Sequence, residues 1–127
     1  MERLRYALVT GAGRGIGKAV ALRLAKDGYR ILVNFVSNVE AAQNTLDEIR
    51  ALGSDGELMQ FDVTDSSAVQ TTLKSWSEAH PGEYISVVVN NAGIRKDNLM
   101  MWMPAEDWHR VLSITLDGFY NVTHPLL

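Results

Sequence analysis

A glycine-rich stretch directly follows the first apolar run of the chain and is the segment best suited to bind an anion. It reads TGAGRGIG, from Thr10 to Gly17, and follows the run Arg5–Val9. A loop that leaves a strand and enters a helix presents free backbone N–H groups at the positive end of the helix dipole, where phosphate binds without side-chain charge. Glycine lets the backbone approach a pyrophosphate closely, because any Cβ would hold it away. The alternative is a glycine-rich turn that binds nothing.

The spacing of these glycines departs from the general dinucleotide fingerprint G-x-G-x-x-G. Counted from either Gly11 or Gly13, the third glycine of that fingerprint would fall on a residue of another type. The spacing that fits is Gly-x-x-x-Gly-x-Gly, from Gly11 to Gly17. The loop is therefore a candidate phosphate site of a particular kind.

The other residue types that commonly carry chemistry form no recognisable group. The sequence has no cysteine, which excludes disulfides, thiolate metal sites and cysteine nucleophiles. His80, His109 and His124 each lack a partner at metal or triad spacing, so we interpret them as surface residues and predict no metal site. The Met-rich run 100–103 could line a substrate mouth or pack as a lid, because methionine adapts to varied shapes.

Strands and helices alternate along the chain and would place the glycine loop at one edge of a sheet. Strands are predicted at Arg5–Val9, Arg30–Phe35, Glu57–Phe61 and Tyr84–Val89. Apolar residues at helical spacing predict a helix after each strand, the last one from about Ala105. Strict alternation implies right-handed crossovers and a parallel sheet covered on both faces. The predicted fold class is α/β, a doubly wound parallel sheet in three α/β/α layers.

Length and charge exclude several classes of function. At 127 residues the chain is one domain or a piece of a larger one. Its net charge of −3 argues against nucleic acid as a partner, which needs a clustered basic face. No run approaches the ~20 apolar residues of a membrane span, and the N-terminal apolar run is too short for a signal peptide. We therefore expect a cytoplasmic protein without a membrane partner.

Three motifs at three strand ends resemble those of the short-chain dehydrogenase/reductase family. They are TGAGRGIG after the first predicted strand, FDV at 61–63 after the third and NNAG at 90–93 after the fourth. The segment from NNAG to Val122 is most similar to the 3-oxoacyl-[acyl-carrier-protein] reductases of that family. The resemblance covers essentially the whole chain. It implies a Rossmann-type sheet, partial, with strand order 3-2-1-4, and it makes residues 1–127 the N-terminal portion of a single dinucleotide-binding domain.

The resemblance also implies which residues contact the cofactor. The backbone from Gly11 to Ile16 would hold the pyrophosphate, and the NNAG motif would line the ribose and nicotinamide. The Asp62 carboxylate would accept a hydrogen bond from the adenine amino group, although a turn cap ahead of Thr64 is the alternative. The full implied set is Gly11, Gly13, Arg14, Gly15, Ile16, Phe35, Ser37, Asp62, Val63, Asn90, Ala92 and Gly93.

The end of the second predicted strand bears on the choice between NAD and NADP. An acid there pairs with the ribose 2′-OH and repels a 2′-phosphate. The stretch 33–38 has none, and Phe35 takes the position at which NAD-preferring members of the family carry aspartate. Arg14 is a solvated cation or the partner of a nearby anion, because the helix dipole disfavours a cation at that end. Ser37 or Asn38 could donate to a 2′-phosphate. We therefore predict NADP (NADPH).

The resemblance implies acid/base residues that this sequence does not contain. In the family a tyrosine is the general acid/base, its pKa is lowered by a lysine four residues later, and a serine orients the substrate oxygen. None of the four tyrosines here is followed four residues later by lysine. Thr115 takes the place of a family asparagine. Threonine is compatible with that place if a main-chain carbonyl acts at a helix irregularity, and it weakens a proton relay if the side chain is needed.

Two functions of different classes remain open. The first is the cofactor half of an NADP-dependent carbonyl reductase, acting on a small-molecule or acyl-carrier-protein-bound 3-oxoacyl thioester, with this chain alone inactive. The second is a non-catalytic dinucleotide-binding or self-associating module; a degenerate gene product is a third. The apolar fourth strand would lie at an unpaired edge, which predicts a homo-oligomer.

Overall fold

Four parallel strands form the centre of the molecule. The computed structural model describes residues 5–92 and 105–127. The strands are β1 (Arg5–Val9), β2 (Arg30–Phe35), β3 (Gly56–Gln60) and β4 (Tyr84–Val89). They pair in the order β3-β2-β1-β4, and Leu8 of β1 lies between Leu32 of β2 and Val88 of β4. The predicted strand order is confirmed.

Helices connect the strands as the alternation predicted. They are α1 (Gly15–Lys26), α2 (Val39–Ala51), α3 (Ser66–Ala79), α4 (Ala105–Leu112) and α5 (Gly118–Thr123). A π-helical turn, Ser113–Asp117, joins α4 to α5, and a 3₁₀ turn, His124–Leu126, follows α5. Side chains cap two of the helices, because Asn38 accepts from the Ala41 N–H at 3.0 Å and Asp65 accepts from the Ala68 N–H at 3.0 Å. No described helix has the length and apolar character that a membrane crossing requires.

Each face of the sheet is covered by its own apolar core. Side chains alternate between the faces along a strand, so Tyr6 and Leu8 belong to one core and Ala7 and Val9 to the other. The first core is completed from α3 and α5 by Val69, Leu73, Trp76 and Val122. The second is completed from α1 and α2 by Ala21, Ala25, Ala42 and Ile49. The molecule therefore has the predicted three layers, and the Rossmann-type α/β fold is confirmed.

The last helical region differs from the expectation of one continuous helix. The apolar spacing predicts a helix with Trp108, Val111, Leu112, Thr115 and Phe119 on one side, but its buried residues are Gly118 and Val122, and Trp108 and Phe119 are 44% and 55% exposed. The π-helical turn adds a residue to the helical repeat and rotates the face that follows it, which carries Phe119. A second, smaller difference is that β3 begins and ends one residue earlier than expected, at Gly56 and Gln60.

Candidate cofactor-binding groove

A groove of about 650 Å³ opens at the carboxyl ends of the strands. Its walls come from the β1–α1 loop, the end of β2, the β3–α3 loop, the residues after β4, and the region of α4. The residues that line it are Gly11, Arg14, Gly15, Asn34, Phe35, Val36, Ser37, Asp62, Val63, Asn91, Ala92, Arg110 and Ile114. A smaller hollow of about 230 Å³ is formed by several of these residues together with Gly13, Asn38 and Ala41. Open α/β sheets bind their ligands at this edge.

The β1–α1 loop presents its backbone to the groove. Gly11 and Gly15 have φ angles of 63° and 59°, a left-handed conformation that side chains with a Cβ rarely adopt. Arg14 precedes α1 in an extended conformation, with no side-chain cap. The Lys18 N–H donates to the Arg14 carbonyl at 3.3 Å, so the N–H groups of residues 15–17 precede the first intrahelical bond. These donors can hold an anion at the helix N-terminus.

Gly17 explains the third glycine of the motif. A Cβ at this position would overlap the Gly11 carbonyl oxygen and lie 2.5 Å from Nδ2 of Asn91. Only glycine therefore allows the first turn of α1 to pack directly on the loop and on the segment after β4. Gly13 is different, because its Cβ would meet its nearest neighbour, Ala41, at an ordinary 3.5 Å.

A buried asparagine in β2 holds the loop from one side. Asn34 is 1% exposed, and its Oδ1 accepts from the Gly11 N–H at 3.1 Å. Its amide nitrogen donates to the carbonyls of Met59 and Phe61, each at 3.1 Å. One side chain thus joins the glycine loop to β2 and β3. The sequence analysis did not identify Asn34, although a polar residue in the apolar strand RILVNF was a signal.

The segment after β4 holds the loop from the other side. The Thr10 hydroxyl accepts from the backbone N–H groups of Asn91 and Ala92, both at 2.9 Å, and donates to the Val89 carbonyl at 3.3 Å. The Asn91 amide donates to the Gly11 carbonyl at 3.2 Å. From α2, the buried Thr45 hydroxyl donates to the Ala12 carbonyl at 3.0 Å. Side chains from three elements, β2, α2 and the segment after β4, therefore fix the backbone of the loop, and those of Asn34 and Thr45 are fully buried.

Most residues of the predicted site lie together. Those that line the groove are Gly11, Arg14, Gly15, Phe35, Ser37, Asp62, Val63 and Ala92, and Gly13 lines the adjoining hollow. Ile16 is 76% exposed and is outside the lining, while Asn90 donates from its amide to the Thr123 hydroxyl at 3.0 Å. Gly93 and the Met-rich run 100–103 lie outside the described residues. The predicted contacts of these residues with a cofactor stay predictions.

Asp62 makes the turn cap that was considered for it and also lies at the groove, while its contact with adenine stays a prediction. Its Oδ1 accepts from the Thr64 N–H at 2.9 Å and from the Thr64 hydroxyl at 2.7 Å, which is the turn cap. It also lines the groove beside Val63. Because a carboxylate has two acceptor oxygens, the cap leaves Oδ2 for a ligand.

The charges that line the groove have a clear arrangement. Asp62 is its one acid, and Arg14 and Arg110 are its cations, among the lining residues that the structure describes. Arg110 was missed by the sequence analysis; its signal was a basic residue one helical turn before the apolar Ile114. Within residues 5–92 and 105–127, no cluster of three histidines or acids is suited to a metal ion.

Thr115 lies within the π-helical turn and is exposed. Such turns interrupt the regular i to i−4 bonding of a helix and occur often at functional sites. The irregularity that makes threonine compatible with this place is therefore present. The role of Thr115 stays a prediction.

The family model for short chain dehydrogenases matches residues 5–127, and the chain belongs to this family. It is 47% identical over 120 residues to "3-oxoacyl-[acyl-carrier-protein] reductase FabG" of Aggregatibacter actinomycetemcomitans, which covers 94% of this chain and 49% of that protein. It is 41% identical over 123 residues to a 3-oxoacyl-[acyl-carrier-protein] reductase of Synechocystis sp., covering 94% and 47%. The chain spans about half the length of the curated relatives it matches. The resemblance inferred from the three motifs is confirmed.

Two solved structures have the same fold. One is a gluconate 5-dehydrogenase from Burkholderia cenocepacia in complex with NADP and tartrate, with a TM-score of 0.85, 33% identity, and coverage of 98% of this chain and 48% of that one. The other is a putative gluconate dehydrogenase from Agrobacterium tumefaciens, with a TM-score of 0.88, 35% identity, and coverage of 96% and 47%.

Proposed function

We propose that this chain is the N-terminal, dinucleotide-binding portion of an NADP-dependent short-chain reductase, and that residues 1–127 belong to a single domain. The observation that carries the proposal is the groove at the carboxyl ends of the strands, with the free N–H groups of α1 at its wall. We further propose a 3-oxoacyl thioester, free or held on acyl carrier protein, as the substrate. The relatives named as 3-oxoacyl-[acyl-carrier-protein] reductases support that substrate class.

The residues of the groove would hold the cofactor in three parts. The N–H groups at the start of α1 would bind the pyrophosphate, because they precede the first intrahelical bond and form the positive end of the helix dipole. Asp62 would accept from the adenine amino group through its second oxygen, with Val63 beside the ring. When bound, the nicotinamide supplies the hydride. The other residues implied for the cofactor, Asn90, Ala92 and Gly93 among them, belong to the same proposal.

Charge supports NADP over NAD. No carboxylate follows β2 at the groove, so nothing there repels a 2′-phosphate. Arg14 shares the smaller hollow with Ser37 and Asn38, a cation beside two side chains that can donate hydrogen bonds. The solved structure of gluconate 5-dehydrogenase is described with NADP, which agrees with this choice for a protein of the same family.

A titration with NADPH tests the site, and two glycine variants make the test specific. Gly15→Val and Gly53→Val carry the same kind of backbone strain, since both glycines have positive φ and open space around a Cβ. Only Gly15 lines the groove. We expect Gly15→Val to abolish NADPH binding and Gly53→Val to retain it. Equal binding by the two variants would refute the assignment of the loop.

The preference for NADP is tested at Arg14. Loss of one charge-assisted hydrogen bond is worth ~1.5–3 kcal/mol, so we expect Arg14→Gln to weaken NADPH binding roughly 10-fold to 100-fold and to leave NADH binding unchanged. Arg23→Gln is the matched control, because its side chain is 77% exposed on the same helix and outside the groove. A parallel loss of NADPH and NADH affinity would show that Arg14 does not read the 2′-phosphate.

Self-association is proposed from an exposed apolar surface on α4, the π-helical turn and α5. It is formed by Trp108, Leu116, Phe119 and Tyr120, which are 44–61% exposed. β4 adds an edge of the four-stranded sheet. We expect a homo-oligomer, and a strictly monomeric species in light scattering at tens of micromolar protein would contradict it.

A non-catalytic binding module is the second candidate function, and the groove by itself is compatible with it. It predicts NADPH binding without turnover of any ketone. Sequencing the reading frame past the Leu127 codon separates the two candidates. A serine and a Tyr-x-x-x-Lys pair encoded there support the reductase, and their absence supports the module.

A further inference from the structure

The end of the sheet opposite the groove carries a set of aromatic and titratable side chains, which we call the His80 cluster. It consists of Tyr6, Glu57, Trp76, His80 and Glu83. His80 is the residue that ends α3, and its ring stacks on Trp76 with centroids 4.6 Å apart and planes 17° apart. Tyr6 contacts both rings edge-on, at 4.9 Å from Trp76 and 5.9 Å from His80. Tyr6 and Trp76 are 3% and 8% exposed and belong to the core, whereas the side chains of His80 and Glu57 are 19% and 45% exposed at its margin.

Both ring nitrogens of His80 face oxygen atoms that can only accept hydrogen bonds. Nδ1 lies 2.8 Å from the Trp76 carbonyl oxygen, and Nε2 lies 3.0 Å from Oε1 of Glu57. Oε2 of Glu57 already accepts from the Trp76 indole N–H at 3.0 Å. A neutral imidazole has one N–H donor, so it would turn a lone pair toward one of these oxygens. Only the imidazolium, with two donors, satisfies both.

We propose that His80 is held as the imidazolium and that its charge and its Nε2–H fasten the end of α3 to β3, so that the fold loses stability as the pH rises and the imidazolium deprotonates. One donated hydrogen bond, from Nε2 to Glu57, and a charge would then join the end of α3 to the start of β3, while the bond from Nδ1 to the Trp76 carbonyl closes the last turn of α3. Deprotonation removes one of those bonds together with the charge. This link between His80 and Glu57, which we call the clamp, lies at the amino ends of the strands, away from the groove.

The charged groups that face His80 from each neighbouring element act in the same direction. Glu57 faces His80 from β3, and Glu83 faces it from the α3–β4 turn. The backbone N–H of Glu83 also donates to the His80 carbonyl at 3.1 Å. One buried oxygen of Glu83, Oε2, has no hydrogen-bond partner. Tyr6 from β1 keeps its proton, because burial and then Glu83 raise its pKa, against a smaller effect of Arg30 at the start of β2.

These contacts set the sign of the pH dependence. The hydrogen bond to the Trp76 carbonyl raises the pKa of His80 above 6.5, and the charges of Glu57 and Glu83 raise it further, against the effect of burial. A group whose pKa is raised on folding stabilises the native state fully below its unfolded pKa. That stabilisation is lost as the pH rises through the folded pKa.

The direct test is an NMR titration of the three histidine rings in the 127-residue chain. His109→Gln and His124→Gln assign the signals by elimination, so the assignment does not require the His80 variant to fold. We expect the His80 ring to titrate above 6.5 in the native chain and at a lower pH in the Glu57→Gln variant. A His80 ring that titrates at or below 6.5 in the native chain would overturn the proposal.

Urea unfolding at pH 5.5 and pH 8.5 tests the consequence for stability, at one fixed protein concentration. We expect the native chain to unfold at a lower urea concentration at pH 8.5, and His80→Gln to lose most of this shift. His109→Gln is the matched control and should keep the shift, because His109 is exposed and belongs to α4. An equal shift in the native chain and in His80→Gln would contradict the clamp. NADPH affinity should be the same in both proteins, which separates this test from that of the groove.

Discussion

Replacing Asn34 by alanine should damage the fold, because it removes a buried polar side chain that holds the glycine loop. The amide of Asn34 makes three hydrogen bonds, with the Gly11 N–H and with the carbonyls of Met59 and Phe61. With Asn34 1% exposed, water cannot replace them. The variant would therefore remove the side-chain partner of three backbone groups.

The expected loss follows from that count. An unsatisfied buried group costs ~1–3 kcal/mol, and we take the lower end because carbonyls tolerate one missing partner better than N–H groups do. Three groups then give a loss of about 3 kcal/mol, a large part of the 5–15 kcal/mol typical of a domain. With a urea m-value of about 2 kcal/mol/M, the midpoint of unfolding should fall by about 1.5 M.

Urea unfolding followed by far-ultraviolet circular dichroism measures this shift. The matched control is Asn38→Ala, which removes an exposed asparagine with one hydrogen bond, the N-cap to the Ala41 N–H. The control should cost ~1 kcal/mol. If Asn34→Ala loses no more stability than Asn38→Ala, the buried network does not hold the loop and the reasoning fails.

Three further perturbations test other parts of the structure. Gly17→Ala should cost ~1–3 kcal/mol in urea unfolding because its Cβ overlaps backbone, and Gly13→Ala, with ordinary contacts, should be nearly neutral; equal losses would contradict the close approach. Thr10→Val removes the acceptor of two backbone N–H groups after β4 and should cost ~2–4 kcal/mol by the same assay; an unchanged midpoint would count against it. The Arg50 side chain, and then the Gly56 N–H, lower the pKa of Asp55 below 3.8. The stability that Asp55 contributes is therefore present above pH 3.8 and lost as the pH falls through the folded pKa. The free energies of unfolding of the chain and its Asp55→Asn variant should therefore become equal in acid, and a difference that persists there would refute this.

Local patterns in the sequence were sufficient to predict the architecture. The bounds of β1, β2 and β4 agree with the prediction, because each is a short apolar run between breakers. The sequence offered Asp65 or Ser66 as the cap of α3, and the cap is Asp65. The glycine spacing and the strand ends also located most of the groove, since the carboxyl ends of parallel strands meet at one edge.

The remaining features depend on neighbours distant in the chain. The buried Asn34 amide donates to two carbonyls, one in β3 and one just after it, which are 25 and 27 residues further along the chain. No local pattern in the sequence reveals these contacts. The π-helical turn 113–117 likewise breaks a period that the apolar spacing had suggested was continuous. Arg110 joins the groove only through the packing of α4 beside Ile114. Such features need the tertiary structure.

The two anchors of the glycine loop have different consequences for how the molecule folds. Asn34 holds Gly11 across 23 residues, whereas Thr10 meets Asn91 and Ala92 across 81 and 82 residues. Closing the longer span costs more chain entropy, and contacts of high sequence separation slow folding. As a ribosome extends the chain, the β1–α1–β2 unit can form early, while β1 keeps one open side until β4 emerges. The wall of the groove beyond β4 is therefore completed last. Until β4 emerges, one edge of β1 is exposed and can pair with a wrong strand.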